Sequence, residues 1–125
     1  MTFAGPTPGN SAFAKRMMRE FEGTHRRVVN TNDVVTHAWQ VKRLQEVPAL
    51  FANRSGPLTN LFEAVAKDVA SLDYAHASED VTAFAGRLDP ARSLVGELIH
   101  QHMDAYCEQF ELDTQGIDSL TFFLA

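Results

Sequence analysis

The sequence predicts an α/β fold in which a strand, a helix and a second strand are followed by further helices. Three observations support this class: a short apolar run at residues 2–4, an amphipathic segment at residues 10–23, and a β-branched run at residues 26–30. A strand, a helix and a strand at this spacing are typical of a crossover that joins two parallel strands. The chain is therefore expected to open with a βαβ unit.

The first strand and the helix after it are separated by residues 5–9, which contain two glycines and two prolines. Such a cluster indicates a turn. Asn10 or Ser11 can then cap the helix, because either side-chain oxygen accepts a hydrogen bond from a backbone N–H that has no partner within the helix. Gly23 is expected to end this helix. Its apolar residues recur at helical spacing, at Phe13, Met17, Met18 and Phe21.

The second strand, residues 26–30, is bounded by the polar Thr31, Asn32 and Asp33. Beyond it the chain is predicted to be mainly helical. The predicted elements are a short helix over 41–47 ended by Pro48, a longer helix opened by Gly56 and Pro57, an irregular segment over 73–78, a short helix over 80–88, and a last helix over 93–110. Residues 117–125 are apolar enough to pack against the rest, and a strand is one interpretation of them.

Two parallel strands do not form a stable sheet by themselves, because parallel sheets are buried on both faces and need neighbouring strands. The first predicted strand begins directly after Met1, with no earlier strand to lie beside it. The chain is therefore expected to be the last, C-terminal portion of a larger sheet.

The composition excludes several classes of protein. Hydrophobic residues make up 45% and charged residues 22% of the 125 residues, which disfavours disorder, collagen and coiled coils. The formal net charge of −5 does not suggest a polyanionic partner such as nucleic acid. The basic groups are expected to lie on solvated faces. They are Lys15, Arg16, Arg19, Arg26 and Arg27.

Cys107 is the only cysteine, so an internal disulfide is excluded. The first residues lack the basic start and long apolar run of a signal peptide. No stretch approaches the roughly 20 apolar residues of a membrane-spanning helix. As written, the chain is expected to be cytoplasmic, while the compartment of a longer parent protein stays open.

Asp33 lies just beyond the carboxyl end of the second predicted strand. Ligand crevices of open α/β sheets lie beyond these strand ends, so a functional carboxylate is expected there. The alternative interpretation is structural, because an Asp in Asn32-Asp33 can bond its own backbone and form a turn. Position alone favours the turn.

His102 lies in the middle of the apolar face of the last predicted helix, whereas His100 points to the opposite side. A buried imidazole needs a partner for its ring nitrogens, and a carboxylate is a good one. A core histidine bonded to a backbone carbonyl is the alternative. A metal site at His100 and His102 is disfavoured, because these side chains diverge on a helix and no third ligand stands at a recognisable spacing. The face consists of Leu94, Val95, Leu98, Ile99, His102, Met103, Tyr106 and Phe110.

Three segments, in order along the chain, resemble the class 3 lipases, a family of α/β-hydrolases. Residues 2–14 look like the family's strand, proline-containing turn and Ala-Phe-Ala helix. Residues 27–37, RVVNTNDVVTH, are similar to its Arg-x-Val-Asn-x-x-Asp-x-Val-Pro-His run. Residues 101–106, QHMDAY, resemble its Gln/Asp-His-x-x-x-Tyr segment. This resemblance identifies Asp33 as the acid and His102 as the base of a catalytic triad.

The resemblance implies that residues 1–125 are part of an α/β-hydrolase domain that lacks its N-terminal strands, lid and nucleophile elbow. The elbow has the form G-x-S-x-G, and no serine here has glycines two residues away on both sides. Gly9-Asn10-Ser11 is half a match, and Ser11 is better explained as a helix cap. Thr36 replaces the usual proline, which could loosen the loop of Asp33. The serines are Ser11, Ser55, Ser71, Ser78, Ser93 and Ser119.

Three interpretations of the function follow. The first is a truncated reading frame of a lipase that hydrolyses acylglycerols or other carboxylic esters in lipid metabolism, without a cofactor or metal. The second is a split or pseudo-enzyme that binds a complementing N-terminal chain. The third is an unrelated small helical interaction protein in which Asp33 and His102 are structural. The first two predict that the chain alone has no esterase activity.

Overall fold

A computed structural model describes residues 1–51, 56–78 and 80–112 of the chain. The strands are β1 (Thr2–Phe3), β2 (Gly9–Asn10), β3 (Arg27–Asn30), β4 (Tyr74–Ala75) and β5 (Val81–Phe84). The α-helices are α1 (Ser11–Glu20), α2 (Val41–Leu44), α3 (Val47–Leu50), α4 (Gly56–Val69), α5 (Leu94–His102) and α6 (Asp104–Gln109), with a 3-10 helix at Val34–His37.

The main sheet has three parallel strands in the order β1-β3-β5. Phe3 lies opposite Val28, and Asn30 lies opposite Phe84. Because β1, α1 and β3 follow one another and the two strands are parallel, the predicted βαβ unit and the α/β class are confirmed. A second, antiparallel pair joins β2 to β4, with Gly9 opposite Ala75.

Helix α1 begins where the sequence indicates, with Asn10 as its cap. The Asn10 Oδ1 atom accepts a hydrogen bond of 2.9 Å from the Phe13 N–H. Ser11 is not the cap, because its hydroxyl donates instead to the Asp73 carboxylate. The helix ends at Glu20, before Gly23, whose φ of +70° gives the chain the left-handed turn that leads to β3.

The predicted helix over 80–88 is wrong, because residues 81–84 form strand β5. All four residues of β5 pair with β3, from Arg27 opposite Val81 to Asn30 opposite Phe84. This pairing joins residues 54 positions apart, so local helix propensity did not decide the conformation. Part of the segment predicted to be irregular, residues 73–78, also forms a strand, β4.

Two predicted helices are each divided in two. Pro48 does not end a helix but lies in the first turn of α3, where its missing N–H costs no helical bond. The helix predicted over 93–110 breaks at Met103, where φ is −123° and ψ is −69°. Helix α4 runs from Gly56 as predicted. The predicted tail strand over 117–125 lies outside the described residues.

The hydrophobic core lies between the helices rather than within the small sheet. Val47 and Phe51 are buried at its centre. Residues from the 3-10 helix, α3, α4 and α5 pack around them: Val34, Leu50, Phe62, Leu94 and Leu98. This cluster ties α5 to the segment that follows β3, so the two regions that contain His102 and Asp33 are held together by packing.

Within the described residues, no helix is both long and apolar enough to cross a membrane. Arg27, which was expected to be solvated, is buried at the start of β3, whereas its neighbour Arg26 is exposed and pairs with Asp80 at 3.0 Å. Arg26 precedes the strand, whereas Arg27 is its first residue and lies between Thr2 of β1 and Val81 of β5.

Candidate active site

Asp33 lies three residues beyond the end of β3 and is completely buried, with 0% of its surface exposed. Its Oδ1 atom accepts a hydrogen bond of 2.9 Å from the Val35 N–H, which caps the 3-10 helix. The structural interpretation of Asp33 as a turn residue is therefore correct for this oxygen. A cap uses only part of the carboxylate, and the remaining acceptor sites face other side chains.

His102 is the last residue of α5, and its side chain faces Asp33. The His102 Nδ1 atom lies 3.0 Å from Asp33 Oδ2 and 3.2 Å from Asp33 Oδ1. The imidazole is 25% exposed, whereas the carboxylate is fully buried. The structure thus brings together two residues 69 positions apart that the sequence singled out.

This geometry determines which nitrogen of His102 can act as a base. Because Nδ1 faces a carboxylate that can only accept when ionised, Nδ1 holds the proton and donates it to Asp33. In that tautomer the lone pair of the neutral ring is on Nε2. A partly exposed imidazole whose lone pair is fixed by a buried carboxylate is the arrangement that general-base catalysis uses.

Tyr106 is a third member of the site, to which the sequence analysis assigned no role. Its hydroxyl donates to Asp33 Oδ2 at 3.2 Å and accepts from the Asn30 N–H at 2.8 Å. Burial raises the pKa of Tyr106 above its ordinary value, so the phenol stays a neutral donor. Its place in the segment QHMDAY, which resembles the family's Gln/Asp-His-x-x-x-Tyr segment, was a usable signal.

The loop that contains Asp33 is held by further hydrogen bonds. Thr36 is buried, and its Oγ1 donates to the Asp33 carbonyl at 2.8 Å. Thr36 therefore adds a hydrogen bond within the loop at the position where the family usually has a proline. His37 adds two contacts, since its ring nitrogens lie 3.2 Å from the Thr31 and Arg43 carbonyl oxygens.

A buried polar network fixes α5 against the end of β3. Asn30 is fully buried, and its Nδ2 donates to Gln101 Oε1 at 2.7 Å and to the Gln101 carbonyl at 2.8 Å. Gln101 Nε2 in turn donates to Glu97 Oε1 at 2.7 Å and to the Arg87 carbonyl at 2.9 Å. Because Gln101 directly precedes His102, this network sets the position of the imidazole.

Gly86 completes this network from the segment after β5. Its N–H donates to Asn30 Oδ1 at 2.8 Å. A Cβ at this position would overlap Gln101 Oε1 and lie 2.7 Å from Asn30 Nδ2. The close approach of backbone and side chains therefore requires a glycine here.

His100 is nearly buried, in contrast to the prediction that it points away from the packed face. Its Nδ1 lies 3.4 Å from Asp104 Oδ2, and its Nε2 lies 3.8 Å from Glu108 Oε2. His100 lies on the same side of α5 as Glu97 and Gln101, which are also buried, so the polar side of this helix is packed as well. In the three described stretches, no three His, Cys, Asp or Glu side chains form a group that could hold a metal ion.

Three of the serines have structural hydrogen bonds. The Ser11 hydroxyl donates to Asp73, the Ser78 hydroxyl donates to the His25 carbonyl at 3.0 Å, and the Ser93 hydroxyl caps α5. Ser55 and Ser119 lie outside the described residues.

Comparison with known proteins supports one family. The family model of class 3 lipases matches residues 1–42, which include Asp33. The crystal structure of M37 lipase matches 88% of this chain with a TM-score of 0.73 and 23% sequence identity. This likeness concerns the fold, and the chain spans about a third of that protein, 34% of its length. No curated protein matches the sequence. The interpretation as an unrelated helical protein is therefore set aside.

Proposed function

We propose that the chain takes part in the hydrolysis of carboxylic esters, because the class 3 lipase model matches residues 1–42 and the fold is similar to that of M37 lipase. In this proposal His102 is the general base and Asp33 is the residue that orients it. The observation that supports these roles is the Asp33–His102 contact of 3.0 Å beyond the carboxyl end of a parallel strand. Ester-hydrolysing triads need an acid and a base in this relation.

In the proposed reaction, His102 Nε2 takes the proton of a hydroxyl nucleophile as it attacks the ester carbonyl, then returns the proton to the leaving alcohol. The charged imidazolium formed between these steps is stabilised by the adjacent Asp33 carboxylate. Tyr106 keeps that carboxylate in place by donating to its Oδ2 atom. The substrate class is acylglycerols or simpler carboxylic esters.

We propose that the nucleophile comes from outside residues 1–125. No serine of this sequence lies in a G-x-S-x-G elbow, the strained turn that exposes the nucleophile of α/β-hydrolases. A preceding segment of a longer protein or a second chain can supply the elbow together with the oxyanion donors. The length of M37 lipase that this chain does not match leaves room for such a segment.

The first test is a chromogenic short-chain ester assay on the purified 125-residue chain. Without a nucleophile, hydrolysis is expected to equal the rate in buffer. Two results together would contradict an external nucleophile: hydrolysis faster than in buffer, and its loss in the His102→Gln variant. They would still support His102 as the general base. The same assay is then repeated with the complementing segment, identified in the coding sequence upstream or by co-purification.

The second test uses variants of the complemented protein. Asp33→Asn is expected to lower kcat by roughly 10⁴-fold, because it removes the charge that fixes the His102 tautomer. The matched control is Asp104→Asn, which makes the same change two residues after His102, at a side chain that is 43% exposed. Its activity is expected to stay within about twofold of the parent. If the Asp33→Asn variant were as active as the parent, the proposed role of Asp33 in the triad would be refuted.

A further inference from the structure

A cavity of about 300 Å³ lies on the sheet face opposite α5 and α6. The Asn30 and Phe84 side chains point toward these helices, where Asn30 contacts Gln101 on α5 and Phe84 contacts Tyr106 on α6. The residues that alternate with them therefore point to the other face. We call the space on that face the cationic cavity. The basic part of its lining consists of Arg27, Arg43, His37 and His76. Its apolar part consists of Val29, Leu50, Val81 and Ala83.

Arg27 is a buried cation that has no counter-ion among the described residues. It is 8% exposed, and its guanidinium makes one hydrogen bond, a long contact of 3.5 Å to the Gly5 carbonyl. Among the described residues, no carboxylate lies within 4.0 Å of it. Burial lowers the pKa of Arg27, yet an arginine stays charged. Because an uncompensated buried charge is costly, this site favours an anion.

The charges in the lining leave one cation unpaired. Arg43 pairs with Glu46 at 2.9 Å. Glu46 is the only carboxylate among the described lining residues, so it offsets one of the two arginines. The charge of the second arginine, Arg27, therefore matches a ligand with a single negative charge.

His76 gives a second, independent sign of a missing partner. Its Nδ1 atom is buried and has no hydrogen-bond partner within the described part of the chain. Burial, followed by the nearby Arg27, Arg43 and His37, lowers the pKa of His76 to about 4. Near neutral pH the ring is therefore uncharged and has an unsatisfied polar atom in the lining of the cavity.

We propose that the cationic cavity binds a small organic carboxylate. The planar guanidinium of Arg27 is suited to donate hydrogen bonds to both oxygens of the carboxylate group. The apolar body of the ligand would then lie against Val29, Leu50 and Val81, which are the kind of wall that a short alkyl chain needs. This site is independent of the Asp33–His102 pair and does not require the chain to be active.

The test is a titration of the full 125-residue chain with hexanoate, followed by NMR of the His76 ring. Hexanamide serves as the uncharged ligand of the same shape, and inorganic phosphate serves as the anion without an alkyl chain. Hexanoate is expected to bind saturably and at least tenfold more tightly than either. Stronger or equal binding of hexanamide would mean an apolar cavity, and stronger or equal binding of phosphate would mean a general anion site. Either result overturns the proposal.

Two neighbouring arginines provide a matched pair of variants. Arg27→Gln is expected to weaken hexanoate binding by roughly tenfold or more, because it removes the buried cation that receives the carboxylate. Arg26→Gln makes the same change at an exposed position and is expected to change the affinity by less than about twofold. Equal losses in the two variants, or no saturable binding by the parent chain, would refute the site.

A further readout does not depend on the folding of the Arg27 variant. The charged or titratable groups around His76 are Arg27, Arg43, His37 and Glu46. A bound carboxylate adds a negative charge that favours imidazolium, so the pKa of His76 is expected to rise above about 4 in saturating hexanoate. Arg43→Gln, at a half-exposed side chain, is expected to weaken binding severalfold. An unchanged His76 pKa with hexanoate bound would contradict the proposed location.

Discussion

At the scale of single residues, the site depends on how a buried carboxylate is satisfied. Asp33 accepts hydrogen bonds from the Val35 N–H, the Tyr106 hydroxyl and the His102 ring. These donors come from the 3-10 helix, from α6 and from α5, in that order. A fully buried carboxylate without such donors would be strongly unfavourable. The same contacts that stabilise Asp33 therefore fix the orientation of His102.

The Tyr106→Phe substitution tests this dependence. It removes a donor to Asp33 and an acceptor for the Asn30 N–H, so we expect the free energy of unfolding to fall by about 1–3 kcal/mol. Urea denaturation followed by circular dichroism measures the change. Tyr74→Phe is the matched control, because the same hydroxyl is removed from a half-buried residue of β4 and the expected change is below about 0.5 kcal/mol. Equal losses in both variants would show that the Asp33 contact adds no stability.

At the scale of elements, the sequence located the helix that contains His102 but not its buried face. The apolar spacing predicted a helix from 93 onward, and α5 begins at Leu94. Val95, on the predicted buried face, is exposed, whereas the polar Glu97 and Gln101 are buried. Apolar periodicity cannot identify this face, because hydrogen bonds outside the helix accompany the burial of both polar residues. Gln101 bonds Asn30 and the Arg87 carbonyl, and Glu97 accepts from the Asp89 N–H.

The strands differ in how far the sequence determined them. Strand β3 could be predicted from its β-branched residues, and Asp33 could be placed beyond its end. Strand β5 could not, because its residues form a strand through pairing with β3, more than 50 positions earlier in the chain. The proximity of Asp33 and His102 was anticipated from family resemblance, whereas the supporting contacts of Tyr106, Asn30 and Gly86 required the structure.

Gly86→Ala tests the contact between β5 and α5. The added Cβ would overlap Gln101 Oε1 and crowd Asn30, so the network must shift or break. We expect a loss of about 2–4 kcal/mol in the free energy of unfolding, measured by urea denaturation. Gly56→Ala is the control, since a Cβ there meets nothing within 4 Å, and its effect should stay within about 1 kcal/mol. A Gly86→Ala variant as stable as the parent would refute the close approach.

At the scale of the whole molecule, the sheet has two open sides. In the described ranges β1 and β5 each pair with β3 alone, so each has one edge without a partner strand. Phe3 on β1 is 50% exposed and lies edge-on to Phe110, which is 41% exposed. An unpaired edge beside an exposed apolar pair favours association with another strand or chain. This arrangement is consistent with a complementing segment that binds along β1.

The isolated chain is therefore expected to self-associate as its concentration rises, which sedimentation velocity measures. Phe3→Lys places a charge on the open edge and is expected to weaken association by roughly tenfold, or about 1.4 kcal/mol. Leu61→Lys makes a comparable change at a 55% exposed residue of α4, away from the sheet, and should have little effect. A chain that stays monomeric at every concentration, or equal effects of the two variants, would mean that the β1 edge is not an association surface. If the edge is that surface, adding the complementing segment should compete with self-association, because both would occupy the same strand.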